Sequence, residues 1–299
     1  MNQSGILLID KPEGPSSAHL VQRVKTVLEA KKVGHLGSLD PFASGLLLLG
    51  VNEGTKIAQV FLGAAKSYRG VMVLGIATDS QDSTGNVVDV RPVPPIGDNE
   101  LQALEQEFTG LLQQIPPMFS ALKRAGVRLY RLARQGKDVP REPRSIRIEA
   151  LVLRKLDGAQ IEFDVTCSRG TYVRTLAADM GSFLGCGAHL RYLRRLACGH
   201  LTVEKAIAPD QLARLNLEQK APLVSIPSAL SHLRGITWED RWITRLRLGQ
   251  QERLGQIGQP VEREKWLRIL DPRGELAALV EWNEETPGGR WRLFRIFHL

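Results

Sequence analysis

The stretch "SIRIEALVLRKLDGAQIEFDVTCSRGTYVRTLAADMG", residues 145–181, decides the fold. Ile161, Phe163, Val165 and Cys167 alternate strictly with Glu162, Asp164 and Thr166. That period of two belongs to a strand with one buried face. Ile146, Ile148, Ala150 and Val152 alternate with polar residues over their first steps, and "LDGAQ" supplies a turn between the two runs. The pair therefore reads as antiparallel strands. After the glycine turn "SRG", Val173, Leu176, Ala177, Met180 and Phe183 mark one face of a helix from about Tyr172 to Leu184. Two successive strands before a helix break the alternation of a doubly wound domain. They predict an α+β fold, with a mixed or antiparallel central sheet flanked by helices.

Towards the N-terminus, "GILLI" (5–9) reads as a strand, followed by the turn "DKPEGPS". Ser16 or Ser17 caps a helix whose apolar face is Leu20, Val21, Val24, Val27 and Leu28. A loop, "GHLGSLDPFASG" (34–45), leads into the buried run "LLLLGV", and "SYRGVMVLGIATD" (67–79) is a further strand. Leu101, Leu104, Phe108, Leu111 and Leu112 predict a helix stopped by the prolines at 116 and 117. Composition changes after residue 228, where all five tryptophans and only one lysine, Lys265, are found. That break predicts a larger domain over 1–230 and a small β-rich domain over 231–299. The second is built from short strands such as "RLRLGQ" and the hairpins around "LDPRGEL" and "TPGGR".

The 299 residues are 43% apolar and 24% charged, ordinary for a globular chain. The apolar run "GLLLLGV" is far short of the roughly 18 residues of a membrane span. "MNQSGILLIDKPEG" lacks the basic start of a secretory signal, so a cytoplasmic protein is expected. Three widely spaced cysteines fit reduced thiols rather than a disulfide framework. The net charge of +8, of which +6 lies in residues 1–228, points to a polyanionic partner met by a folded surface.

Several apparent motifs carry no chemistry. "GLLLLGV" has the glycine spacing of a phosphate loop but not the Lys and Ser/Thr that must follow. Cys186, His189, Cys198 and His200 lack the short paired spacings of a zinc site. Three positions are harder to read as scaffold. Asp40, in "LDP", stands among Gly34, Gly37 and Gly45, which allow close approach to the backbone. Tyr68 opens a strand. Arg174 falls in the first turn of a helix, where the dipole disfavours a cation, so an anionic partner is expected. An acid in a glycine loop, an aromatic ring and an anion-seeking arginine suit a site that stacks a planar base over a carboxylate.

The blocks "GILLIDKPEGPSS", "KKVGHLGSLDPFASGLLLLGVNEGTK", "KSYRG", "LGIATDSQDSTG", "PPMFSALKRAGVRLYRLARQG", "CSRGTYVRTLAADMG" and "GAHLRYLRR" stand in the order of a known family. The chain resembles the tRNA pseudouridine synthases of the TruB type, and the C-terminal segment is similar to their PUA-like domain. Where the family usually has threonines in this loop, Leu36 and Ser38 stand here. The resemblance implies that Asp40 is the catalytic carboxylate, acting at the base or the ribose. It implies that Tyr68 stacks on the uracil and helps remove the C5 proton, and that Arg174 pairs with Asp40. Leu193 would pack on the base, and His35 would fill the space left in the opened T-loop. Lys11 and Pro12 would support the loop, and Lys66 would adjoin the substrate. The implied reaction isomerises a T-loop uridine with no cofactor and no metal, tRNA being the partner and the enzyme a monomer. A chaperone that opens and refolds the T arm is the alternative, and a subunit of a guide-RNA particle is a third reading.

Overall fold

The computed structural model describes residues 3–213, 221–261, 264–286 and 288–297. Its main sheet contains β1 (Gly5–Lys11), β2 (Val33–His35), β3 (Ser44–Val51), β4 (Lys66–Leu74) and β5 (Gly110–Gln114). It is completed by β6 (Arg144–Lys155), β7 (Gln160–Cys167), β8 (Ala188–Cys198), β9 (Leu201–Thr202) and β10 (Leu223–Val224). The order across it is β10-β1-β3-β8-β4-β7-β6-β5, with β2 against β3 and β9 against β8. Every pairing is antiparallel except β3 with β8, which run parallel over only two pairs, Arg194 with Ser44 and Arg195 with Gly45. The sheet is thus mixed, as expected, and its two antiparallel halves meet at one short parallel seam.

The β6–β7 pair forms as its alternation predicts, with one correction. A register shift between Ile148 and Ala150 turns β6 over, so Leu151 and Leu153 are buried beyond it. Val152 is left 45% exposed. A bulge inserts one residue and exchanges the two faces, which a simple count of two cannot anticipate. Helix α1 (Ser17–Val27) starts where a cap was expected, the Ser16 hydroxyl accepting from the His19 amide. Leu20, Val24 and Leu28 enter the core.

The next expected helix is shorter. Helix α2 (Asp98–Glu107) buries Leu101 and Leu104, but Gly110, at φ 103°, turns the chain into β5. Leu111 and Leu112 therefore belong to a strand, and Leu111 is exposed. Helix α3 (Val173–Phe183) buries Val173, Leu176, Ala177 and Met180, while Phe183 is 52% exposed and meets Phe108 edge-on. The three thiols are unpaired and buried, and burial pushes Cys167 up to about 11. No helix among the described residues is long and apolar enough to cross a membrane.

Helix α3 also carries Asp179, whose carboxyl burial pushes up to about 6. Between its ordinary 3.8 and about 6 the folded chain holds a proton that the unfolded chain has released. Stability from this group therefore falls as pH rises through that window, and the deficit is complete at neutral pH. Asp179→Asn is expected to stabilise the protein by about 1 kcal/mol at neutral pH, discounted for partial exposure. The gain should vanish in melts below the ordinary carboxylate range.

The C-terminal segment has a four-stranded sheet: Gly235–Thr237, Trp266–Leu270, Leu276–Asn283 and Arg290–Ile296. Both expected hairpins form. "RLRLGQ" does not make a strand; its first residues end helix α4 (Asp240–Arg247), where Ile243 and Leu246 point inward. This sheet does not stand apart. Trp266, Leu276, Leu279 and Phe297 share one core cluster with Ile6, Leu8, Leu46, Leu48 and Phe61. His200 and His232 add a pair of tilted rings, their centroids 4.4 Å apart, near that junction.

Candidate active site

The parallel seam creates the site. Residues 36–43 leave β2 and return as β3, beside the point where β8 arrives. Three buried side chains fix this loop. Lys11, fully buried at the end of β1, donates to the carbonyls of Pro12, Pro41 and Ala43 at 2.9, 3.0 and 2.5 Å. Burial draws its ammonium down to about 8. The Ser17 hydroxyl donates to the Leu39 carbonyl and accepts from the Leu39 amide, both at 2.9 Å. Arg195, 2% exposed, donates from Nε to the Leu46 carbonyl at 2.6 Å. Its two terminal nitrogens reach Ser38 and Gly37 carbonyls at 3.2 and 3.1 Å.

Glycine is required where β3 begins. Gly45 sits at φ 96°, and a Cβ there would lie 2.3 Å from the Arg195 carbonyl oxygen. Leu36, by contrast, is 1% exposed and packs in the core, so a side chain without a hydroxyl suits its position.

Arg174 finds the anion its position at the start of α3 demands. Its Nε lies 2.9 Å from Asp40 Oδ2, and one terminal nitrogen lies 3.2 Å from Asp82 Oδ2. The Ser80 and Phe119 carbonyls accept its remaining donors, each at 2.8 Å. The side chains of Arg174 and Asp82 are each 5% exposed, whereas that of Asp40 is 47% exposed. Burying a charged pair carries a desolvation cost. In the fold that cost falls on the Arg174–Asp82 pair, offset by the Asp82 contacts with Ser80 and Thr84. Asp40 stays open to a ligand while being held by a buried cation.

Asp40 and Arg174 line a cavity of about 240 Å³ with Tyr68, Leu193, Arg195, Tyr172 and Lys66. Tyr68 lies on β4 and Leu193 on β8, facing the same space. Burial pushes the Tyr68 phenol up to about 12, against the pull of Arg195. Lys66 is also present, but its ammonium donates to the carbonyls of Phe61, Leu62 and Ala64. Its charge holds the chain before β4 in place rather than pointing at a ligand. His35 is exposed on β2 and is not among the cavity's lining residues. Pro12 is exposed and contributes a carbonyl to Lys11.

Sequence reading did not single out Asp82 or Arg195, and took Ser17 only as a candidate helix cap. Asp82 sits in "DSQDSTG" and Arg195 in "YLRR", both within quoted blocks. A buried arginine in a strand was the available signal, because burial of a cation demands acceptors. The larger cleft, about 880 Å³ between residues 59–64 and the C-terminal segment, shares Leu62 with this cavity.

Nearly the whole chain is similar to known proteins. The profile described as TruB family pseudouridylate synthase (N terminal domain) matches residues 25–173. The profile described as tRNA pseudouridylate synthase B C-terminal domain matches residues 174–231. A Geobacter sulfurreducens protein called tRNA pseudouridine synthase B is 46% identical over 98% of this chain and 99% of its own length. The protein of that name from Syntrophobacter fumaroxidans is 41% identical, covering 98% of both chains. A solved Cbf5-Nop10-Gar1 complex shares the fold at a TM-score of 0.73 and 24% identity, over 98% of this chain and 85% of the other. With both profiles matched, and 41–46% identity to these relatives over nearly the full length of each, the chain belongs to the TruB family of pseudouridylate synthases.

Proposed function

We propose that the protein isomerises a uridine in the T-loop of tRNA to pseudouridine, with Asp40 as the reacting carboxylate. The observation that carries this reading is the Arg174–Asp40 contact at 2.9 Å inside a cavity also lined by Tyr68 and Leu193. Isomerisation detaches uracil from C1′ at N1, turns it and rejoins it through C5. The atoms are conserved, so the chain's groups must hold the detached base and aim one carboxylate. Arg174 holds the Asp40 carboxylate in one orientation. Tyr68 and Leu193 enclose the base, a role in which an aromatic face is tolerant of rotation.

A base inside a folded loop must first be turned out, at a cost of a few kcal/mol. Backbone contacts to RNA offset that cost. Residues 121–144 supply eight Lys and Arg against two acids, on short strands at Lys123–Arg124 and Val127–Arg128 and a helical turn, Leu129–Ala133. Most of this segment is exposed, which suits phosphate binding and predicts salt-sensitive affinity. We assign the catalytic task to residues 1–230 and further RNA contact to the PUA-like residues 231–299, in a cytoplasmic monomer. The chaperone reading is less well supported, because binding alone would not need the buried Arg174–Asp82 pair beneath Asp40.

The test is release of tritium from tRNA labelled at uracil C5. One equivalent per tRNA, without added metal or nucleotide and absent for Asp40→Asn, is the expected result. Tight binding without release would replace the enzyme by an RNA-folding protein.

A further inference from the structure

We propose that Arg195 is a positioning residue that couples the Asp40 loop to the Tyr68 phenol, so that the same guanidinium holds the loop and activates the group that removes the C5 proton. The inference rests on the function proposed above and assigns a residue within that site.

Three placements carry it. Arg195 and Tyr68 are direct cross-strand partners in the β8–β4 ladder, on strands whose side chains line one cavity. Arg195 is also the partner of Gly45 across the parallel seam, so its backbone marks the start of β3. Its guanidinium then donates to the carbonyls of Gly37, Ser38 and Leu46, on both sides of Asp40. One 2%-exposed side chain thus spans loop and seam, and lines the same cavity as its cross-strand partner Tyr68. Arg195 is the foremost charge that favours ionisation of the Tyr68 phenol, against burial.

The chemistry gives this arrangement a use. Once uracil has rejoined C1′ through C5, that carbon still carries its hydrogen. The C5–H bond breaks and its electron pair forms the C5=C6 double bond. The displaced C6=N1 pair moves to N1, which takes a proton from water. The C5 proton goes to the Tyr68 oxygen in its ionised form. Burial opposes ionisation, and Arg195 is the charge that favours it. Because the same guanidinium fixes Gly37 and Ser38, the phenol becomes effective only when the Asp40 loop is in place.

The experiment compares Arg195→Lys with the parent on tRNA carrying hydrogen or deuterium at uracil C5. Lysine retains charge but cannot span three carbonyls and the phenol. kcat is expected to fall by about a hundredfold with KM for tRNA little changed, and the deuterium effect on kcat to rise as proton removal becomes limiting. Tyr68→Phe should raise it likewise, and the double variant should be no worse than the more impaired single one. Protein made with 3-fluorotyrosine, whose phenol ionises more readily, should restore part of the Arg195→Lys loss. Arg195→Gln, which keeps a donor for the loop without the charge, serves if the lysine variant does not fold, with the same expected rise.

A slower enzyme with an unchanged isotope effect, additive losses with Tyr68→Phe and no rescue would reduce Arg195 to a scaffold residue and overturn the proposal. Should the parent release no tritium, the proposed function fails first.

Discussion

Asp40→Asn is expected to lower pseudouridine formation by at least about a thousandfold, roughly 4 kcal/mol of barrier, with RNA binding largely kept. The amide preserves the shape of the carboxylate and can still meet Arg174 through its oxygen. It removes the charge and the nucleophilic or basic oxygen on which every version of the reaction depends. Because the Asp40 side chain is 47% exposed and Arg174 keeps Asp82 and two carbonyls, the substitution leaves no buried charge unpaired. The melting temperature should therefore hardly move. Single-turnover formation of pseudouridine, with binding measured in parallel, checks both halves. Turnover above a thousandth of the parent rate would remove Asp40 from the chemistry.

Arg174→Met is expected to fail differently, by losing the fold as well as the reaction. Its buried guanidinium serves two carboxylates and two main-chain carbonyls. Taking it away leaves Asp82, 3% exposed, as an uncompensated buried charge. Breaking such a pair costs about 3–5 kcal/mol. The discriminating comparison is Arg174→Met with Asp82→Asn, in which the orphaned group is an amide instead of an anion. That double variant should be more stable than Arg174→Met alone while remaining inactive, as read by thermal melts and product formation. If Arg174→Met melts at the parent temperature, the buried pair contributes nothing to stability and the proposed division of labour between Asp40 and Asp82 is wrong.

The reach of sequence reading can be followed residue by residue. Asp40 and Arg174 were legible separately, one by its glycine surroundings and one by its misfit with a helix dipole. Their contact spans 134 positions, from 40 to 174, and no local rule carries that far. Asp82 and Arg195 were missed for the same reason, since each is defined by distant partners, Asp82 by Arg174 on α3 and Arg195 by the carbonyls of the Asp40 loop. The errors in elements are local conflicts settled elsewhere. Leu111 and Leu112 continue a helical spacing, yet Gly110 and the free edge of β6 make them a strand. In "RLRLGQ" alternation suggested a strand, but Ile243 and Leu246 share a helical face that packs inward. The β6 bulge shifted the phase of an otherwise correct strand.

The apolar cluster in which Ile6 and Leu8 meet Trp266 and Phe297 bears on how the protein is made. The strand that delivers Lys11 to the loop is synthesised well before part of its covering, which lies more than 250 residues further along the chain. At about 5–20 residues per second a ribosome needs roughly 15–60 s to complete a chain of this length. Throughout that interval the outer side of β1 and β3 lacks Trp266, Leu279 and Phe297. A nascent or truncated chain that ends near residue 231 would carry the whole reactive cavity and an uncovered apolar sheet face, a surface prone to association. The tail of the protein thus acts as a stopper for its own beginning, and chains shortened there should be lost to aggregation or proteolysis before any question of RNA affinity arises.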